Sequence, residues 1–177
     1  MPPHRPESAE PPTPDWERLY DAHAPGLLLY ARQWLADPAS AEEAVQGGFV
    51  RFWRSWRTRG AAEPDVPLLF AAVRSEALDL LKASSRRRAR EGLAAVDDAL
   101  WESDPLVGRE RAAAVRASLD ELSPEQREAV VLRVWGGLSF AEIARTLGAN
   151  ENTVTARCRR GLEALEKLLP EECREPR

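Results

Sequence analysis

The feature that most constrains the fold is a series of helix signals close to the carboxyl terminus, between Leu122 and Leu165. The residues from Ser123 to Gln126 combine a capping box with proline at the first helical position. A second capping box spans Ser139 to Glu142, and Gly136-Gly137 separates the two apolar runs. The spacing predicts short, well-bounded helices rather than one long helix.

A glycine turn is predicted between the last two of these helices. Gly148 supplies the left-handed conformation that a tight turn requires, and Asn150 is a favourable N-cap for the helix that follows. Helices in this order form the helix-turn-helix unit, whose second helix enters the major groove of DNA. The alternative is an ordinary helical hairpin with a solvated basic face. Caps, a glycine turn and a basic helix occurring together favour the DNA-binding unit.

The last helix has two chemically different faces. Apolar residues at helical spacing predict its core side, namely Val154, Cys158, Leu162, Leu165 and Leu169. Short polar groups at a helix start reach base edges, while arginines further along suit phosphates. The predicted base-reading residues are Asn152, Thr153 and Arg157. The predicted phosphate contacts are Arg160 and Arg127.

The amino-terminal half also predicts helices only. Asp15 caps a helix that Pro25-Gly26 should interrupt, and helical spacing resumes from Leu27 to Leu35. Asp37-Pro38 predicts a turn, and Ser40 to Glu43 predicts a third capping box.

The helix beginning near Ser40 contains Gly47-Gly48, where each glycine costs about 1 kcal/mol relative to alanine. Either this helix bends there, or another segment packs against its backbone. A polar loop from Thr58 to Pro67 precedes a helix predicted from Leu68 to about Ala83. A basic block follows, made of Lys82, Arg86, Arg87, Arg88 and Arg90.

These signals predict an all-α protein with two small helical domains joined by a flexible linker, the carboxyl-terminal one a helix-turn-helix. The predicted boundaries are a disordered tail over 1–14, a helical domain over 15–90, an acidic linker over 91–103, a helix-turn-helix domain over 104–170 and a tail over 171–177. The helix that opens the second domain is predicted to start at Asp104-Pro105.

Composition excludes several classes of function. The 177 residues contain only two cysteines and two histidines, without a CxxC, so we expect no metal site and no disulfide framework. No catalytic grouping or glycine-rich phosphate loop is present, and we therefore expect neither an enzyme nor a cofactor. No apolar run is long enough for a membrane span and no signal peptide begins the chain, so the expected compartment is the cytoplasm.

The chain resembles the extracytoplasmic-function group of bacterial sigma factors, in the sigma-70 family. LSPEQREAVVLR, LSFAEIARTLG and NTVTARCRRGLEAL look like that family's fourth region, which recognises the −35 promoter element. LYDAHAPGLLLYARQWL, AEEAVQGGFVRFWRSW and LLFAAVRSEALDLLK are similar to its second region, which docks on the polymerase clamp and melts the −10 element. The resemblance implies three partners, namely bacterial core RNA polymerase, promoter DNA and an anti-sigma factor.

The resemblance also assigns residues in the amino-terminal domain. The implied polymerase-binding residues are Glu42, Glu43, Gln46 and Trp53. The implied −10 contacts are Phe70, Ser75, Lys82, Arg86, Arg87 and Arg88. The family usually has an acidic residue at Gly47 and an asparagine at Ser75, and the loop from Thr58 to Pro67 offers no aromatic ring for a flipped base. Two alternatives stay open, a helix-turn-helix regulator that never joins polymerase and a helical decoy that binds no DNA.

Overall fold

A computed structural model describes residues 14–60, 63–91 and 109–169, and within these ranges the chain forms α-helices and no strands. The helices are α1 (Trp16–Ala31), α2 (Pro38–Arg59), α3 (Val66–Glu91), α4 (Arg109–Asp120), α5 (Pro124–Val134), α6 (Phe140–Leu147) and α7 (Glu151–Leu168). The predicted all-α class is therefore confirmed. The acidic linker over 91–103 and the helix start at Asp104-Pro105 lie outside the described residues, apart from the last residue of α3.

The first module, α1 to α3, surrounds a core of large apolar side chains. Its fully buried members include Leu27, Tyr30, Phe52, Leu69, Phe70 and Val73. The close contact between α2 and α3 depends on Gly48, because a Cβ atom placed there would lie 2.4 Å from Val73 Cγ2. Close packing, the second of the two alternatives for Gly47-Gly48, therefore explains the glycine at position 48.

One local prediction in α1 and one in α2 are wrong. Helix α1 continues through Pro25, where the sequence predicted an interruption. A helix-interior proline costs about 3 kcal/mol, but burying Leu27 and Tyr30 beyond it offsets this cost, at about 1.5–3 kcal/mol for each large apolar side chain. Helix α2 begins at Pro38 and not after Ser40, because the Asp37 carboxylate accepts the Ser40 amide at 2.9 Å and acts as the N-cap.

Helix α3 is longer than predicted. It extends through the basic block to Glu91, whereas the helical spacing predicted an end near Ala83. The block contains no glycine or proline, and the guanidinium groups of Arg86 and Arg90 donate to the carbonyl oxygens of Lys82 and Arg86 at 3.3 Å each. These bonds supplement the backbone ladder where α3 no longer has a buried side.

The second module, α4 to α7, follows its local signals closely. Both predicted capping boxes form, with Ser123 paired to Gln126 and Ser139 paired to Glu142. Gly148 adopts the left-handed conformation, at φ 62°, which makes the sharp turn between α6 and α7.

The core face of α7 is rotated from the predicted one. Leu162 is 43% exposed, while Gly161 is buried against α5, and a Cβ atom there would lie 2.7 Å from Val130 Cγ2. The buried series is Val154, Cys158, Gly161 and Leu165. The average spacing of these residues is closer to the 3.6 residues of a helical turn than that of the predicted series. The prediction of a buried Leu162 is therefore wrong, because a glycine carries no apolar signal in the sequence.

Candidate nucleic-acid interface

The start of α7 presents its side chains to solvent. Asn152, Thr153 and Arg160 are exposed and Arg157 is half-buried. The Asn150 side chain accepts the amide hydrogen of Asn152 at 2.9 Å, which satisfies one of the free backbone donors of the first turn. The first turns of α7 are therefore held in helical geometry with their polar face accessible to a partner.

Arg127 and Cys158 lie near this face but have structural roles within the second module. Arg127 is 21% exposed, donates to the carbonyl oxygens of Asp120 and Leu122, and pairs with the Asp120 carboxylate at 3.1 Å. A phosphate contact by Arg127 would compete with these bonds. Burial raises the pKa of the Cys158 thiol, so this group stays protonated and serves as a core side chain.

The predicted polymerase-binding residues form a stripe along α2. Glu42, Glu43 and Gln46 are exposed, and Trp53 is 39% exposed with the Arg57 guanidinium 4.8 Å from its ring centroid. We call these residues together with Val50 the α2 stripe. Val50 is 48% exposed, which is high for an aliphatic side chain. Val50 was not among the residues predicted from the sequence, although its spacing of four from Gln46 and three from Trp53 puts it on the same face.

The first two predicted −10 contacts have different surroundings. Phe70 is fully buried, with its ring 5.6 Å from that of Tyr30, so it does not reach DNA in this conformation. Ser75 is half-buried and accepts a hydrogen bond from Arg51 Nη1 at 2.6 Å. Arg51 also pairs with Glu76 at 2.8 Å, so it joins α2 to α3.

The basic block on α3 is divided between two faces. At about 100° per residue, Lys82 and Arg86 share the face of Ser75, whereas Arg87 and Arg88 lie on the opposite side. Arg87 and Arg88 line a groove of about 860 Å³, whose walls also include Trp34, Asp37, Glu43 and Leu80. Sequence alone treated these arginines as one block, although helical periodicity could have separated them.

The two modules contact each other directly, with α5 against α1 and α6 against α3. At this module seam, Glu128 on α5 accepts hydrogen bonds from Tyr30 Oη at 2.7 Å and from Arg74 Nε at 2.6 Å. The bond to Glu128 raises the pKa of the Arg74 guanidinium, and burial beside the negative carboxylate raises the pKa of Tyr30 well above its usual value. The sequence does not predict this cluster, because none of its members carries a local signal.

The described ranges contain no grouping of three or more histidine, cysteine, aspartate or glutamate side chains suited to a metal ion. No described helix has the length and apolar character that a membrane crossing needs.

Comparison with known proteins matches both modules. The family model for Sigma-70 region 2 matches residues 19–87, and that for Sigma-70, region 4 matches residues 112–165. The RNA polymerase sigma factor CarQ of Myxococcus xanthus is 34% identical over 167 residues, which cover 88% of this chain and 90% of that protein. The ECF RNA polymerase sigma factor SigK of Mycolicibacterium vanbaalenii is 33% identical over 144 residues, which cover 76% of this chain and 71% of that protein.

A solved structure shares the fold. The sigma factor RpoE of Bartonella quintana, solved in complex with the anti-sigma factor NepR, superposes with a TM-score of 0.64 at 22% identity. The match covers 87% of this chain and 96% of that one, so it includes helices from both modules.

Proposed function

This chain belongs to the extracytoplasmic-function RNA polymerase sigma factors of the sigma-70 family, and we propose which of its surfaces contact polymerase and which contact promoter DNA. The chain binds core RNA polymerase and directs it to promoters. In our proposal the α2 stripe docks on polymerase, α3 meets the −10 element and the start of α7 reads the −35 element. For the two domains we keep the boundaries predicted from the sequence, 15–90 for the first and 104–170 for the second. This role needs no catalytic group or cofactor, and it belongs in the cytoplasm, where bacterial polymerase and its template are found.

The observation that carries the proposal is the accessible start of α7. Asn152 and Thr153 are exposed in the first turn of a helix that a capped glycine turn positions, which suits short polar groups for base edges. Arg157 and Arg160 follow on the outer side and suit bases and phosphates in turn. Arg127 stays in the proposal as a phosphate contact, provided that one of its present bonds is exchanged for the phosphate.

On α3 we propose a −10 surface formed by Ser75, Lys82 and Arg86, which share one face. Phe70 joins this surface only if its ring leaves the core. Arg87 and Arg88 line the groove beside Glu43, and they reach the same DNA only if it wraps around α3.

The experiment is run-off transcription with purified bacterial core polymerase on a pool of genomic fragments, followed by substitution scanning of a recovered promoter. We expect Asn152→Ala to cost about 1–3 kcal/mol at one base position and to relax specificity there. Arg160→Ser, on the same helix, should weaken all promoter variants alike and reduce the salt slope by about 1. If Asn152→Ala lowers transcription equally from every variant, α7 does not read bases through this residue.

The polymerase contact is tested by co-purification. Glu43→Arg combined with Gln46→Ala should reduce recovery of the chain with core polymerase, because both changes fall on the exposed α2 stripe. Glu163→Arg is the matched control, since Glu163 is also exposed on a helix surface but lies in the other module. Equal recovery of both variants would assign the polymerase contact to another surface.

A further inference from the structure

Asp79 places a negative charge on the face of α3 that we propose for the −10 element. Ser75, Lys82 and Arg86 share this face. At about 100° per residue, Asp79 lies within about 60° of all three, and it stands between Ser75 and Lys82 along the helix. Its side chain is 56% exposed. A carboxylate repels phosphates, so Asp79 weakens DNA binding by this face unless it has another partner there.

The Asp79 carboxylate is paired only loosely. The Arg51 Nη2 atom lies 2.8 Å from Glu76 Oε1 but 3.7 Å from Asp79 Oδ2, and the second distance is too long for a hydrogen bond. The other terminal nitrogen of Arg51 donates to Ser75 Oγ at 2.6 Å. The guanidinium charge therefore reduces the repulsion between Asp79 and phosphates, while the Asp79 oxygens keep their capacity to accept hydrogen bonds.

Glu76 does not have the same availability. Its side chain is 24% exposed, and its bond to Arg51 joins α3 to α2. A Cβ atom at Gly47 of α2 would lie 3.2 Å from Glu76 Cδ, so this side chain also fills the space beside the glycine. Contact between the two helices therefore accounts for Glu76 and leaves Asp79 without a structural role of this kind.

The chemistry of a carboxylate limits which bases Asp79 can contact. An ionised carboxylate accepts hydrogen bonds and donates none. In the major groove, the amino groups of cytosine N4 and adenine N6 are donors, whereas guanine O6 and N7 and thymine O4 are acceptors. Asp79 therefore suits cytosine or adenine and disfavours the other two bases. Ser75 makes no such choice, because a hydroxyl both donates and accepts.

We propose that Asp79 is a base-selecting residue of the −10 surface, which accepts a hydrogen bond from the exocyclic amino group of a cytosine or an adenine. The inference rests on the proposed contact between α3 and the −10 element. Lys82 and Arg86, further along the same face, bind neighbouring phosphates and fix the register of α3 on the DNA. Asp79 then adds the sequence preference that phosphate contacts lack.

The test removes the base amino group and the carboxylate, separately and together. A promoter recovered by run-off transcription is prepared with 2-pyrimidinone in place of each cytosine of its −10 element, or purine in place of each adenine. Each analogue deletes the amino group alone, and the two sets distinguish cytosine from adenine. At one position the deletion should weaken binding by polymerase holoenzyme about tenfold. The same deletion should have almost no effect on holoenzyme that carries Asp79→Ala, whereas deletions elsewhere should affect both proteins alike.

A carboxylate that is merely solvated predicts a different result. Asp79→Ala would then remove a charge that repels phosphates, raise the affinity for every DNA by the same factor and show no coupling to any base. That result would overturn the proposal, as would a preference for guanine or thymine at the coupled position. Asp21→Ala is the matched control, because Asp21 is an exposed carboxylate on α1 of the same module. Equal coupling in this control would also count against Asp79.

The test does not depend on one variant. Asp79 is exposed and alanine favours helices, so Asp79→Ala should keep the helix content seen by circular dichroism. Asp79→Asn replaces it in the comparison if helix content falls, and it should weaken the coupling because a neutral amide is a poorer acceptor. The analogues also test the unmodified chain directly. If no amino deletion weakens its binding by more than about twofold, the proposal is wrong.

A second variant separates this inference from the proposed −10 surface. Lys82→Ser combined with Arg86→Ser should reduce the salt slope of promoter binding by holoenzyme, because both cations share the face of Asp79. An unchanged slope would mean that this face does not meet DNA, and would overturn the −10 surface and the inference together. A reduced slope without coupling at Asp79 would overturn the inference alone.

Discussion

Gly48 shows how one residue sets the distance between two helices. Its missing side chain lets α2 approach the backbone of α3, where a Cβ atom would be 2.8 Å from Val73 Cα. At Gly47 the same atom would meet only the flexible side chain of Glu76, at 3.2 Å. The two neighbouring glycines therefore have opposite tolerances for a methyl group.

We predict that Gly48→Ala lowers the free energy of unfolding by about 1–3 kcal/mol, because overpacking against Val73 outweighs the gain in helix propensity. Gly47→Ala should raise it by up to about 1 kcal/mol, because alanine favours the helix and the Glu76 side chain can move. Chemical denaturation of both variants measures the difference. Similar effects from the two substitutions would contradict the close approach at Gly48.

At the scale of single residues, the sequence located this glycine pair but did not choose between a bend and close packing. That choice depends on Val73, which is distant along the chain. The same limit applies to Leu162, which apolar spacing predicted as buried. The neighbouring Gly161 faces Val130 instead, and only the position of α5 decides which of the two residues points inward.

The helices show which local signals are reliable. The capping box of α6 involves only residues within one helical turn. The Glu142 carboxylate accepts hydrogen bonds from the Ser139 amide at 2.8 Å and from the Ser139 hydroxyl at 2.7 Å. These bonds lower the pKa of the Glu142 carboxyl below its ordinary value of 4.5. A carboxyl whose pKa is depressed on folding stabilises the folded state above its unfolded pKa, and that contribution disappears as the pH falls through the folded value.

We therefore predict that acidification below about pH 4.5 weakens the second module, in part through Glu142. Glu142→Gln should remove this part of the pH dependence while lowering stability at neutral pH, because the amide is a weaker acceptor for the Ser139 donors. Thermal unfolding followed across this pH range measures both effects. A pH profile identical to that of the unmodified chain would exclude a contribution from Glu142.

Helix α3 provides a test of its two basic faces. Replacing Lys82 and Arg86 with serine should reduce the salt slope of promoter binding by polymerase holoenzyme by about 2, at about 1 for each lost phosphate contact. Replacing Arg87 and Arg88 should change it less, since both line the groove on the other side of α3. The reverse order of effects would place the DNA along the groove.

At this scale, the sequence predicted the caps of α5, α6 and α7 because each involves side chains and amides within one helical turn. It misplaced the start of α2, where Asp37 competes with Ser40 as the cap. It also ended α1 early, because the penalty at Pro25 is local while the burial that offsets it is tertiary.

At the scale of the whole molecule, the two modules are joined by contacts of unequal strength. Arg145 and Asp65 are 61% and 36% exposed and 3.5 Å apart, so water and salt screen this pair. The pair of Arg74 with Glu128 is shorter, at 2.6 Å, and less exposed. Partly buried, charge-assisted hydrogen bonds contribute more to a stable arrangement than exposed pairs do.

We predict that Asp65→Asn leaves the radius of gyration of the free chain nearly unchanged, because an exposed pair contributes about 0–1 kcal/mol. Arg74→Gln should expand the chain measurably under the same conditions, since it leaves the Glu128 carboxylate without its charged partner. Scattering in low and high salt compares the two. A larger expansion from Asp65→Asn would make the exposed pair the main contact of the seam.

The amino-acid sequence by itself determined the helical class, the capped helix-turn-helix and the polar start of α7, because capping and amphipathic spacing act over a few residues. Tertiary structure decided the core position of Phe70, the groove that Arg87 and Arg88 line and the packing of the two modules against each other. Tyr30 and Glu128 are 98 residues apart in the chain, and only the packing of α1 against α5 brings the hydroxyl within 2.7 Å of the carboxylate. No local pattern encodes such a contact, since it depends on the relative placement of whole helices.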